Sequence, residues 1–208
     1  MPKKRKSAKR RGSSSSLLDG DGALWQNSWL NWWHFEWGID IGWDIYATGY
    51  KDAADIIVDH LPLQRGTLDT VVYPVLFLYR HFLELRLKGL VRDGRELLDH
   101  DGGTPSGHGL ETLWRELRPM LEELWPENEQ TDLDALEDYI SQFSRVDPVS
   151  EVFRYPQKKR DGTWSLEHMT HTNVRRVAEL MDNIANLLDG IKEAMAHYLD
   201  YKRAQRLE

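Results

Sequence analysis

Arg80, His81, Glu84 and Lys88 fall inside one largely apolar run, VVYPVLFLYRHFLELRLKGL (71–90). On a helix, Arg80, Glu84 and Lys88 share one line at four-residue spacing, so the carboxylate can pair with a cation on either side. His81 sits one position round, beside them. An arginine fork suits phosphate or carboxylate, and an imidazole that titrates near neutral pH suits proton transfer. The chemistry open to this set is therefore anion binding or acid–base catalysis. The structural alternative is an internal ion-pair network that fixes how neighbouring helices pack. A helix apolar on nearly every side belongs at the centre of a bundle, where unpaired charge is costly.

Other residues with chemical potential are scattered. His108 opens a helical stretch after a glycine-rich loop, DHDGGTPSGHG (99–109), where it could meet an anion or cap the helix. Arg154, between aromatics in Phe153-Arg154-Tyr155-Pro156, could reach Glu84 or a ligand, or stack on a ring. His168 and His171 are three apart in HMTH, but no carboxylate follows at a ligand offset, so no metal site is expected. No GxSxG elbow supports a hydrolase triad, and no glycine-rich phosphate loop occurs. No cofactor is expected.

The elements that must position these groups read as helices. Residues 44–61 carry an apolar face through Ile45, Tyr46, Ala53, Ala54, Ile57 and Leu61, and Pro62 follows. The central helix is expected to start near Thr67–Thr70, with Asp69 or Thr70 as cap and Pro74 in its first turn. A third runs from Leu110 to Trp125, where Pro119 should kink or split it. A fourth covers 132–144 behind Thr131, and the last, Asn173 to Tyr201, is long and regular. Between them FRYPQKKRDGTWSL, with a turn at Asp161-Gly162, suggests a loop or a small hairpin near 152–166. The fold class expected is all-α, a bundle of five to six helices.

Composition narrows the function classes. The absence of cysteine excludes disulfides, thiolate metal sites and cysteine nucleophiles. No apolar stretch reaches the roughly 18–20 residues of a membrane span, so no stable membrane insertion is expected, and a cytoplasmic location is the simplest reading. The net charge of −7 is asymmetric. Residues 1–16 read as a disordered basic tail with Lys3, Lys4, Arg5, Lys6, Lys9, Arg10 and Arg11, a candidate nucleic-acid contact. Without those seven, 20 basic residues face 34 acids, so the remaining chain stands at −14. Residues 17–43 form a Trp-rich segment holding six of nine tryptophans, expected to cover the bundle's own core or a second copy. Residues 44–208 form the bundle domain.

The stretch YPVLFLYRHFLELRLKGLVRDG, with GHGLETLWRELRP, FRYP and the long last helix, resembles HEPN-like helical bundle proteins over roughly 44–200. It looks similar to bacterial members of uncharacterised function. The resemblance implies a four- to six-helix bundle, commonly a homodimer, that binds nucleotide or RNA within toxin–antitoxin or phage-defence systems beside a partner protein encoded nearby. Active members cut RNA without metal, using an arginine and a histidine brought together across a dimer. Arg95 and His100 match the family's Arg-x4-His spacing, although the usual polar residue after the arginine is here the acid Glu96. Arg80, His81, Glu84 and His108 match recurring polar positions of the uncharacterised members. Two readings follow: a non-catalytic binding or interaction module, and a metal-independent ribonuclease using Arg95 and His100 or the Arg80–His81 pair.

Overall fold

The computed structural model describes residues 42–60, 65–127, 130–167 and 169–206. The basic tail, the Trp-rich segment through residue 41 and His168 lie outside them. Five helices follow in order: α1 (Gly42–Asp59), α2 (Arg65–Leu97), α3 (Leu110–Leu124), α4 (Thr131–Val146) and α5 (Val174–Gln205). No strand occurs among the described residues, so the chain is all-α as its periodicity predicts. The hairpin expected near 152–166 contracts to one antiparallel bridge, Gln157 with Trp164.

α2 is the central element, packed against α1, α3 and α5, while α4 lies on α3 and α5. Its sequence dictates this. Val75, Tyr79, Phe82, Leu83, Leu87 and Val91 are fully buried, and they point to more than one side of the helix. The flanking helices supply one apolar stripe each: Ala47, Ala54 and Val58 from α1; Leu110, Leu113, Leu117 and Leu121 from α3; Leu136 and Ile140 from α4; Met181, Ile184, Leu188 and Met195 from α5. Tyr79 donates its hydroxyl to Asp55 of α1 at 2.7 Å, and Lys51 links Asp55 to Asp182 of α5. Arg86 of α2 reaches Asp44 and Asp189, closing the α1–α2–α5 face.

The proline expectations need correcting at Pro74 and narrowing at Pro119. α2 starts at Arg65 rather than near residue 67–70, so Pro74 lies well inside it. Pro119 lies inside α3, which is neither split nor ended there. Both prolines are on exposed faces. Water can satisfy the Arg115 carbonyl that Pro119 leaves without its helical donor, which lowers the cost of the interruption. Gly94 marks a close approach of α2 to α3 and α5. A Cβ there would stand 2.9 Å from Met120 Sδ and 3.2 Å from Met195 Cε. Asn173 caps α5, its side-chain oxygen accepting from the Arg176 backbone N–H at 3.1 Å.

Candidate functional site: a buried ion network in the middle of α2

The one-turn spacing of Arg80 and Glu84 puts both side chains on the same inward line of α2. They are 0% and 1% exposed, and Arg80 Nη1 donates to Glu84 Oε2 at 2.9 Å. One turn further on, Lys88 Nζ donates to Glu84 Oε1 at 2.9 Å. The ring of His108, in the segment just before α3, places Nδ1 2.7 Å from the same oxygen. Glu84 thus accepts from a guanidinium on one oxygen and from an ammonium and an imidazole on the other.

Arg80 is equally committed. Its Nη2 donates to the His108 carbonyl at 2.5 Å and its Nε to the Asp147 carbonyl at 3.1 Å. Nε also lies 3.4 Å from Asp147 Oδ2. All three guanidinium nitrogens therefore have protein partners, drawn from α2, the residue after α4 and the segment before α3. Asp147 is itself fully buried and organises the turn that follows: Oδ1 accepts the backbone N–H of Glu151 at 2.7 Å and of Val152 at 3.1 Å. Inside that turn Ser150 is buried with φ of 63°, a left-handed conformation uncommon for a residue other than glycine.

Two ionisations are displaced. Burial works against the charged form of Glu84, but hydrogen bonds from Lys88 and His108 outweigh it and hold the carboxyl below its ordinary value. Burial lowers the His81 pKa, and the positive charges of Arg80 and Lys88 act the same way, against the pull of Glu84. His81 stacks on Phe77 at 5.6 Å and meets Tyr50 edge-on at 4.4 Å. Its Nδ1 is 4.0 Å from Glu84 Oε2, so it borders the network without a hydrogen bond to it.

Both shifts have the same consequence for stability. Each group binds a proton more readily unfolded than folded, so stability falls as pH falls. For His81 the loss begins near its unfolded pKa of about 6.5 and continues down through its lower folded value. For Glu84 it begins below about pH 4.3 and continues down through a folded value lower still. A His81→Phe variant, which keeps the ring stack, is expected to flatten the decline just below about pH 6.5 and leave the acid limb in place. Urea midpoints measured across pH check this; an unchanged slope just below neutrality contradicts it.

Of the residues expected to act together, Arg80, Glu84 and His108 converge, with His81 at the border. Arg154 does not join them. Its Nε donates to the Ser150 carbonyl at 2.5 Å, and its guanidinium lies over Phe77 at 5.7 Å and Tyr155 at 5.5 Å. Of the roles open to Arg154, ring stacking is the one observed.

Arg95 is also occupied. Nε and Nη2 hold Glu116 Oε1 of α3 at 2.6 and 2.5 Å, and Nη1 donates to the Gly103 carbonyl at 2.7 Å. Gly102, at φ of 107°, would bring a Cβ to 3.1 Å from that guanidinium, so glycine is required for the loop to close over Arg95. His100 lies exposed in the turn after α2, its backbone N–H bonded to the Arg95 carbonyl at 2.9 Å. Glu96 pairs with Arg203 of α5 at 2.9 Å, and that hydrogen bond holds its carboxyl below the usual value. His171 is exposed beside Thr170. Among the described residues no three His, Asp or Glu side chains group as metal ligands, and no helix is long and apolar enough to cross a membrane.

Asp147 is the member that sequence reasoning missed. Its signal was an aspartate directly after a helix and before Pro148, the position of a turn-forming carboxylate. Compared with protein-family models, with curated proteins and with solved structures, the chain gives no significant match.

Proposed function

We propose that the chain is a non-catalytic, HEPN-like helical binding module whose buried Arg80–Glu84 network is an internal joint rather than an active centre. The observation that supports this reading is saturation. Every guanidinium nitrogen of Arg80 and both carboxylate oxygens of Glu84 already bond to protein groups. A phosphate could bind there only by displacing Glu84 from two cations inside the fold. The other arginine–histidine candidate is constrained in the same way, because Arg95 is held by Glu116 and Gly103. On this reading the protein is a cytoplasmic homodimer, joined through apolar helix faces, that binds nucleotide or RNA at its surface in a bacterial defence or toxin–antitoxin setting.

The test is purified full-length protein incubated with single-stranded RNA in the presence of a metal chelator. Intact RNA is the expected result, with wild-type protein and with His100→Ala and His81→Ala alike. Cleavage by wild type that either substitution abolishes would establish the ribonuclease reading instead.

A further inference from the structure

A second feature is built on the residues that follow the Asp147 turn. Tyr73 of α2, Tyr155, Pro156 and Trp164 line a groove of about 460 Å³, with the buried Phe153 also contributing. The three outer rings are open to solvent: Trp164 is 62%, Tyr73 46% and Tyr155 40% exposed. That volume lies within the range of specific binding clefts. Leaving three large rings at one groove forgoes burial that the fold could otherwise gain, since each ring carries a large apolar area.

The segment that carries Trp164 is well built. The Gln157–Trp164 bridge is reinforced by hydrogen bonds from Lys158 N–H to the Thr163 carbonyl, from Gly162 N–H to the Lys158 carbonyl and from Ser165 N–H to the Pro156 carbonyl. Asp161 closes the turn by accepting from the Thr163 N–H and hydroxyl. At its tip Lys158, Lys159 and Arg160 stand in succession, all exposed. Lys159 Nζ lies 4.8 Å from the centre of the Tyr155 ring and 3.8 Å from Glu151 Oε1, so Lys158 and Arg160 are the cations most open to a partner. The turn thus sets a basic cluster beside the aromatic groove.

Charge placement selects the occupant. A single-stranded nucleic acid needs cations along its whole track to offset a phosphate at every step. Apart from Arg154, the exposed cations here gather on the turn, outside the lining of the groove. Arg154, the arginine lining the groove, is committed to Phe77, Tyr155 and the Ser150 carbonyl, and Glu167 places an acid in the lining. A peptide can be apolar in the groove and acidic only where it passes the basic turn. Clusters of exposed tyrosine and tryptophan also form the surface that recognises extended, proline-bearing segments, whose conformational entropy is already low.

We infer that this groove docks an extended, proline-bearing segment of a partner protein, with acidic residues that run on past Lys158, Lys159 and Arg160. The rings of Tyr73, Tyr155 and Trp164 hold the apolar part, and the turn sets its direction. This goes beyond the proposed function and stands independently of whether the module binds RNA elsewhere.

Fluorescence anisotropy of the full-length protein tests it with a labelled peptide in which a proline–leucine repeat is followed by a run of glutamates. Saturable binding is expected, weakened about ten-fold by Trp164→Ala or by the helix-surface variant Tyr73→Ala. The Lys158→Glu, Arg160→Glu double variant, or lysines in place of the peptide's glutamates, should weaken it about ten-fold as well. Melting curves for the variants confirm that they are folded. No saturable binding, equal binding of the lysine-tailed peptide, or tighter binding of an oligouridylate that the peptide displaces would each overturn the inference; the last would make the groove a nucleic-acid site.

Discussion

Replacing Glu84 with leucine is expected to destabilise the folded protein by about 3–5 kcal/mol, the range for removing one partner of a buried ion pair. Leucine is as good a helix former and comparable in size, so neither propensity nor packing accounts for a loss that large. The cost is electrostatic. Arg80 at 0% and Lys88 at 8% exposure are left in the core without the carboxylate that neutralised them. Arg80 keeps two backbone carbonyls and the flank of Asp147, but Lys88 loses the acceptor it holds at 2.9 Å. Urea unfolding with an unchanged m-value measures the effect cleanly. A loss below about 1 kcal/mol would contradict the burial of a working ion pair.

The second large effect is expected from Arg80→Met, also about 3–5 kcal/mol. Methionine fills the space of the arginine stem but supplies no donors. The carbonyls of His108 and Asp147 then lose their guanidinium partner inside the fold, and each unsatisfied group costs about 1–3 kcal/mol. Glu84, by contrast, keeps Lys88 and His108. The damage should therefore spread to the segments that Arg80 ties down. Amide exchange at Glu151 and Val152, whose N–H groups bond to Asp147 Oδ1, is expected to accelerate more than exchange in α1. Equal acceleration everywhere would mean that Arg80 does not specifically anchor the 147–152 turn.

The line of Arg80, Glu84 and Lys88 was legible because four-residue spacing on a helix dictates contact, and all three side chains meet as that spacing requires. The five helices were legible from apolar periodicity, although their ends were not: α2 begins ahead of its expected start, and α3 runs through Pro119. Whether a proline breaks a helix depends on which face it occupies, and that is a tertiary property. The partners from outside α2 were the least legible. Asp147 and Ser150 lie in an irregular segment whose turn exists only because a carboxylate bonds two amides and meets an arginine 67 positions away. Arg154 was readable as an arginine among aromatics, but the choice between Glu84 and ring stacking is made by the direction of that same turn. Arg95 and His100 have a suggestive spacing, yet spacing alone does not say that Glu116 and Gly103 already hold the guanidinium.

Whether Arg80 and Glu84 form one structural joint is tested most directly by a double-mutant cycle in urea, from wild type through Arg80→Met and Glu84→Leu to the double variant. The Arg80–Glu84 bond is lost in both single variants but only once in the double, which also removes the Arg80 charge that Glu84→Leu alone leaves without its carboxylate. The double variant should therefore be more stable than the sum of the two losses implies, with a coupling energy of about 2–3 kcal/mol. Additivity within about 0.5 kcal/mol would mean that the two groups act separately, and the buried joint would have to be abandoned.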